Sequence, residues 1–206
     1  MVNDGFRVLV FNPRGVGIPQ KTDNLFDYSK ILDDMNYVMD YVYTKYPNSN
    51  HYLIGFSLGA SYGMQYLCHY KQRSKVKAMV SIGNPFDVYQ AAASANSWRN
   101  IIYGHFLTKR LIERVEFNID SITERQKKDG IAYDLDKVRK CYTTFKFDKE
   151  FTFKFLDYND SKVYYKLFSC LSDVKDIDVP VLIIHSKNDP ISRYIDKTRI
   201  SAYRYR

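Results

Sequence analysis

The chain predicts an α/β fold: a parallel sheet with helices on both faces and a helical cap set into it. Three observations carry that expectation. Short apolar runs recur at residues 6–11, 52–54, 76–82 and 181–185, and amphipathic helical segments separate the first three. Between residues 86 and 178 the strand pattern stops and helical periodicity replaces it. Each run ends in polar turn chemistry, so the turns gather on one rim, and strands alternating with helices indicate βαβ units and a parallel sheet.

Taken in order, Phe6-Arg7-Val8-Leu9-Val10-Phe11 is a β-branched and aromatic run that reads as a strand. It ends in the turn Asn12-Pro13-Arg14-Gly15, and a loop continues through Gly17, Pro19 and Thr22. Arg14 is expected to be structural, its guanidinium hydrogen-bonding loop carbonyls. Residues 28–46 place Ile31, Leu32, Met35, Val38, Met39 and Val42 on one stripe with Asp33 and Asp34 early, an amphipathic helix closed by Pro47-Asn48. Tyr52-Leu53-Ile54 is a buried strand, followed by a helix in which Leu58, Tyr62, Tyr66 and Tyr70 recur at helical spacing, widened by Leu67. Val76-Lys77-Ala78-Met79-Val80-Ser81-Ile82 is a third strand, stopped by Gly83-Asn84-Pro85.

In the interval that follows, Ile101, Ile102, Phe106, Leu107, Leu111, Ile112 and Val115 form one stripe, and Gly130 marks a break. The aromatics of residues 145–155 either line an apolar acyl pocket or pack the cap on the sheet. After Val179-Pro180 comes the strand Val181-Leu182-Ile183-Ile184-His185, then Ser186-Lys187-Asn188-Asp189-Pro190.

The chemistry concentrates at Gly55-Phe56-Ser57-Leu58-Gly59, the pattern G-x-S-x-G between a strand and a helix. Glycine and serine are common enough that the pattern alone carries little weight; its place between strand and helix is what counts. A serine hydroxyl is a weak nucleophile, so an enzyme using one holds it on a sharp turn beside a base and near N–H donors. Gly55 and Gly59 would let strand and helix approach closely, and the helix starting at Leu58 would aim its N-terminal dipole and the Leu58 N–H at a developing oxyanion. An acid just past a late strand is where a triad carboxylate falls in the order Ser, Asp, His. Asp189 occupies that place; the competing reading is an Asx turn before Pro190.

With 206 residues the chain fits one domain, of which residues 86–178 would be the cap. Cys68, Cys141 and Cys170 lack metal-ligand spacing, so neither a disulfide framework nor a zinc site is expected, and a reducing compartment is the default. The net charge of +8 suits an acidic partner, nucleic acid or an anionic membrane. The densest basic groups, Lys109-Arg110 with Arg114, Lys127-Lys128 and Arg139-Lys140, alternate with acids, as on a solvated helical face rather than a phosphate-tracking stripe. Nucleic acid is therefore not the expected partner. No run is long and apolar enough to span a bilayer. The first five residues run straight into a strand, as though the chain begins inside a domain.

These segments resemble the α/β-hydrolase superfamily, and within it the esterase and lipase branch that includes monoacylglycerol lipases and medium-chain phospholipases. The matching stretches are Asn12-Pro13-Arg14-Gly15, Tyr46-Pro47 ahead of the elbow, Gly55-Phe56-Ser57-Leu58-Gly59, Ile82-Gly83-Asn84-Pro85-Phe86-Asp87, Val179-Pro180 and Asp189-Pro190. The resemblance implies an ester or lipid substrate, Ser57 as nucleophile and Asp189 as triad acid, with no cofactor or metal. Two departures accompany it. Nothing before Phe6 matches the family's His-Gly oxyanion loop, and His51, His69, His105 and His185 all precede Asp189, where the triad histidine should follow it. The domain is therefore expected to be incomplete at both ends, with the base absent from this chain. His51 and His69 are expected to be structural, and His185 a polar strand-end residue.

The readings left by the sequence are a serine hydrolase of carboxylic esters, acylglycerols or phospholipids, an acyltransferase, and a non-catalytic lipid- or protein-binding module on the same fold. A cytoplasmic or membrane-associated place, with peripheral membrane contact, fits the first.

Overall fold

The computed structural model describes residues 2–18, 25, 30–131, 133–172 and 174–192. Its sheet has the strands β1 (His51–Phe56), β2 (Val76–Ile82) and β3 (Val181–Ile184), all parallel and in the order β1-β2-β3. Helix α1 (Ile31–Lys45) precedes β1, and α2 (Leu58–Tyr70) joins β1 to β2. α1 buries Ile31, Met35 and Val42, members of the stripe that its sequence predicts, and Tyr46 closes it by donating its backbone N–H to the Val42 carbonyl. α2 packs against β1 and β2, and its run from Ala60 to Leu67 is buried without a break.

Side chains alternate across a strand, so the register divides the sheet into two faces. Leu53, Met79, Val181 and Ile183 meet the core under α2. Tyr52, Ile54 and Phe56 of β1 and Leu182 and Ile184 of β3 share the other face and are exposed, Phe56 by 65%. The sequence leads one to expect helices over both faces; those packed on the sheet among the described residues cover one.

Residues 6–10 depart from the strand expected of them. They form no ladder, and among the described residues β1 pairs with β2 alone. Phe6, Val8, Leu9 and Val10 are exposed; the Arg7 guanidinium lies 3.9 Å from the Tyr46 ring centre, and Phe11 reaches the sheet core. β-propensity reports a side chain's fit to a pleated surface rather than a backbone preference, so a strand-like run without a neighbouring ladder stays merely extended. Pro19, Thr22 and the expected helix start at Tyr28 lie outside the described residues.

Between β2 and β3 lie α3 (Val88–Ala95), α4 (Ile101–Phe117), α5 (Ile119–Asp129), α6 (Leu135–Arg139), α7 (Thr144–Phe147), α8 (Phe153–Leu156) and α9 (Ser161–Lys166). A π-helical turn, Asp148–Thr152, joins α7 to α8. This insertion has its own core: Val115, Ile122, Tyr133, Val138, Phe147, Phe151 and Phe155, with Leu25. Phe147, Phe151 and Phe155 are four apart, the first pair tilted with ring centres 5.6 Å apart and the second stacked at 5.2 Å. They are fully buried and fill the insertion's interior. Phe145 and Phe153 instead pack against the sheet core. α5 ends at Gly130, whose φ of 66° supplies the left-handed C-cap that the break in the sequence signals.

Candidate active site

The elbow is built as the sequence proposes at Gly55 and differently at Gly59. A Cβ on Gly55 would stand 2.4 Å from the Ala60 Cα, so only glycine lets β1 and α2 approach this closely. On Gly59 a Cβ would meet nothing within 4 Å; that glycine is not required for packing. Between them Ser57 is the N-cap of α2 with φ 50° and ψ −126°. Positive φ is rare and costly outside glycine, and such strain persists only where the surroundings impose it. Here they do, since the Ser57 N–H donates to the Ile82 carbonyl at 2.9 Å while its own carbonyl accepts from Ala60 at 2.9 Å. The residue is exposed at the strand end. Leu58, the first residue of α2, is among the positions whose N–H groups have no intrahelical acceptor.

The three strand ends are tied in a row. Next to the Ser57 contact, the Gly83 N–H donates to the Ile184 carbonyl at 2.9 Å. Asp189 follows β3, and its Oδ2 is 3.9 Å from where a Cβ on Gly83 would lie. Its Oδ1 accepts from the N–H groups of Ile191 and Ser192 at 2.9 and 2.8 Å. The Asx-turn geometry is therefore real and engages one carboxylate oxygen, leaving Oδ2 toward the end of β2. Ser57 and Asp189 thus sit on the same rim, past β1 and β3, with the end of β2 between them.

Neither residue is hydrogen-bonded to a histidine among the described residues. His185 Nε2 is 2.6 Å from the Ser192 carbonyl. His51 begins β1, at the far end from Ser57, with its ring edge on Tyr43 at 4.8 Å; burial, then the nearby Lys75 charge, lowers its pKa. His69 lies near the far end of α2, and His105 stacks on Tyr142 at 4.0 Å within the insertion. A cleft of about 470 Å³ lined by His105, Glu113, Glu116, Arg139 and Cys141 lies along α4 and includes neither Ser57 nor Asp189.

Several residues that hold the rim carry no periodic signal in the sequence. Asn100, the residue before α4, donates to the Pro190 carbonyl at 2.7 Å, and Ser94 Oγ donates to the same oxygen at 3.0 Å, so the insertion grips the loop after Asp189. Ser61 donates to the Phe168 carbonyl and Gln65 to those of Leu167 and Ser169, pinning the insertion's end to the elbow helix. Asn118 donates to the Gly15 carbonyl at 3.0 Å and Arg114 to that of Arg14. Arg14 is structural, as expected, and its guanidinium has a partner that the sequence did not single out: the Asp34 carboxylate of α1, bound through two contacts of 2.6 Å. A planar guanidinium matches a carboxylate bidentately, which fixes the loop against α1. Asn84 is fully buried and donates to Ser81 Oγ at 3.2 Å, so it braces the turn after β2 instead of facing the site.

A family profile described as the α/β hydrolase fold matches residues 2–202. Among curated proteins, the chain is 31% identical over 189 residues to monoacylglycerol lipase of Saccharomyces cerevisiae, covering 90% of this chain and 41% of that protein. It is 26% identical to medium-chain fatty acid ethyl ester synthase/esterase 2 of the same yeast, over 90% of this chain and 45% of the relative. With phospholipase ABHD3 of Bos taurus it shares 26% identity, over 91% and 44%. The chain therefore spans a little under half the length of these relatives. A crystal structure of a mutant meta-cleavage product hydrolase, CumD, superposes with a TM-score of 0.50 at 19% identity, covering 93% of this chain and 66% of that one, a likeness of fold.

Proposed function

Since the chain belongs to the α/β-hydrolase fold family, we propose that it carries the nucleophile and acid of a serine hydrolase for carboxylic esters, with an acylglycerol or phospholipid as substrate. The observation that carries this reading is the left-handed backbone of Ser57 between β1 and α2, which presents the hydroxyl at the helix N-terminus. Relatives named as a monoacylglycerol lipase, a phospholipase and an ester synthase/esterase support the substrate class. No cofactor or metal enters the proposal, because the triad moves its own protons.

In the proposed reaction Ser57 Oγ gives up its proton to a base and bonds to the ester carbonyl carbon. The carbonyl oxygen becomes an oxyanion facing the Leu58 N–H and the positive end of α2. Collapse expels the alcohol, protonated by the same base, and water repeats the sequence on the acyl-serine. Asp189 is the orienting acid, through the Oδ2 that its turn leaves disengaged. We read none of His51, His69, His105 and His185 as the base: His51 and His69 lie toward the far ends of β1 and α2 from Ser57, His105 stacks on Tyr142 within the insertion, and His185 Nε2 meets the Ser192 carbonyl. The base is therefore assigned outside this chain, and the 206 residues are expected to turn over poorly, since triad loss costs many powers of ten. The whole of residues 1–206 is treated as one hydrolase domain with its cap at residues 86–178.

A fluorophosphonate probe and a short-chain nitrophenyl ester test the reading in residues 1–206 beside a version extended at both ends. Labelling and hydrolysis are expected in the longer version and lost in Ser57→Ala; a labelled alanine variant would overturn the nucleophile. Equal turnover by both lengths would return the base to this chain and to His185. A longer version that neither labels nor hydrolyses any ester while still binding lipid would favour the non-catalytic module.

A further inference from the structure

The stripe on α4 is not fully used by the fold. Gly104, Thr108 and Val115 are buried, with a Cβ on Gly104 only 2.2 Å from the Ala95 carbonyl, so this side is pressed against α3. The opposite side of the first turns is equally apolar yet open: Trp98 is 79% exposed, Ile102 77%, and Tyr103 and Phe106 more than half. Ile102, Tyr103 and Phe106 share one helical face, Leu107 widens it, and Trp98 stands in the turn just before the helix. A solvated helical face is ordinarily polar, and an apolar one of this breadth marks an interaction surface.

Its charges indicate what the surface meets. Between Asp87 and Glu113 the sequence has no acidic residue, while Arg99, Lys109 and Arg110 are all exposed there. Arg99 lies over the Trp98 ring at 5.2 Å; Arg110 lies over Phe106 at 5.1 Å but is paired with Glu113 at 2.7 Å, so Arg99, with Lys109, supplies the charge at the margin of the aromatic face. Tryptophan, tyrosine and phenylalanine with arginine and lysine at their margin are the composition of a helix lying in a membrane interface, rings among the acyl ends and cations at the headgroups. The chain's +8 adds attraction to anionic lipid. The face also adjoins the rim: Asn100, between Trp98 and Ile102, is the residue that holds the Pro190 carbonyl.

We propose that the first turns of α4, with Trp98, form a docking face for an anionic phospholipid membrane, seating the rim of Ser57 and Asp189 against the lipid surface. The inference goes beyond ester hydrolysis and stands without it, because binding needs no turnover.

Trp98 is the sole tryptophan of the chain, which makes its fluorescence a local reporter. Vesicles of ether-linked phosphatidylcholine, with and without ether-linked phosphatidylserine, exclude hydrolysis. With full-length chain, the phosphatidylserine vesicles are expected to shift Trp98 emission to the blue and bring its quenching by bromolipid. Ile102→Glu with Phe106→Glu should lower partitioning at least about tenfold, as the loss of two inserted apolar side chains requires. Arg99→Glu with Lys109→Glu should weaken binding to the anionic vesicles by about tenfold or more and leave the neutral ones little changed. Far-UV circular dichroism verifies that these exposed substitutions leave the fold intact, and Ser57→Ala should bind as the parent does. Vesicle binding without a Trp98 shift, or undiminished in Ile102→Glu with Phe106→Glu, would overturn the proposal. So would a Trp98 shift that tracks protein concentration without lipid, which would make the face a contact between copies.

Discussion

The sheet layer and the helical insertion close their cores in different ways. In the insertion the buried rings belong to one short stretch: Phe147, Phe151 and Phe155 follow one another along α7, the π turn and α8, Tyr133 meets two of them, and the Arg125 guanidinium covers Phe155 at 4.1 Å. Most of the partners lie within a few turns in sequence. The sheet instead joins residues far apart, β3 pairing with β2 across the whole insertion, and it leaves Tyr52, Ile54, Phe56, Leu182 and Ile184 open. Helical segments satisfy their backbone internally and need only a face to bury; strands need neighbours for their backbone as well. Local closure leaves the insertion's core needing little from outside beyond Leu25, and non-local closure makes the sheet dependent on what stands beside it.

The largest expected effect tests the insertion's independence. Phe151→Ala removes a fully buried ring and should cost about 3–5 kcal/mol. If the two cores are separable, denaturant unfolding followed by protease sensitivity will show residues 119–156 cut first while the sheet persists; one concerted transition would remove the distinction. Next comes Gly55→Ala, whose Cβ meets backbone and not a flexible side-chain end, so that β1 and α2 must part at a cost of about 3 kcal/mol. Thermal unfolding and fluorophosphonate labelling should fall together, and an unaltered Tm would show the elbow to be looser than its geometry.

A pH series sharpens the insertion side. Asp148 is buried in the π turn, accepting from Thr152 Oγ1 at 2.8 Å and Tyr165 OH at 2.5 Å, and burial pushes its carboxyl up to about 6 against the pull of those bonds. An acid with its folded pKa raised stabilises fully below its unfolded value and loses that contribution as pH rises through the folded one. Stability from this group should therefore fall between about pH 4 and pH 6. In Asp148→Asn the fall should be absent, the variant gaining about 1–3 kcal/mol on the parent between pH 4 and pH 7. Parallel stability curves for the two proteins would sink the assignment.

Smaller effects belong to the rim. Arg14→Ala breaks the bidentate pair with Asp34, each side chain about a quarter exposed, and should cost about 1 kcal/mol. Its signature is a lower Tm with KM unchanged in the active, longer version; a steep rise in KM at constant Tm would make Arg14 a substrate ligand. Gly59→Ala is expected to be neutral or to gain about 0.5–1 kcal/mol, the ordinary helix preference, because its Cβ meets open space. A loss there comparable to that at Gly55 would erase the contrast between the two glycines.

What the sequence determined on its own is whatever depends on spacing over a few residues. The stripe of α1, the strand-turn-helix around Ser57, the parallel α/β class and the helical interval between the second and last paired strands were all legible, since periodicity and glycine chemistry act locally. Local reading could not say whether residues 6–11 would find a ladder, which side of the Ile101 to Val115 stripe would be buried, or that Phe147, Phe151 and Phe155 face the insertion's own interior. It could not find Asn100 at the Pro190 carbonyl, Asn118 at Gly15, or the Asp34 partner of Arg14. Those outcomes rest on pairings 20 to 103 residues apart. Hydrogen-bond donors and strand edges acquire partners only when the chain has been brought together, so tertiary structure alone decided them.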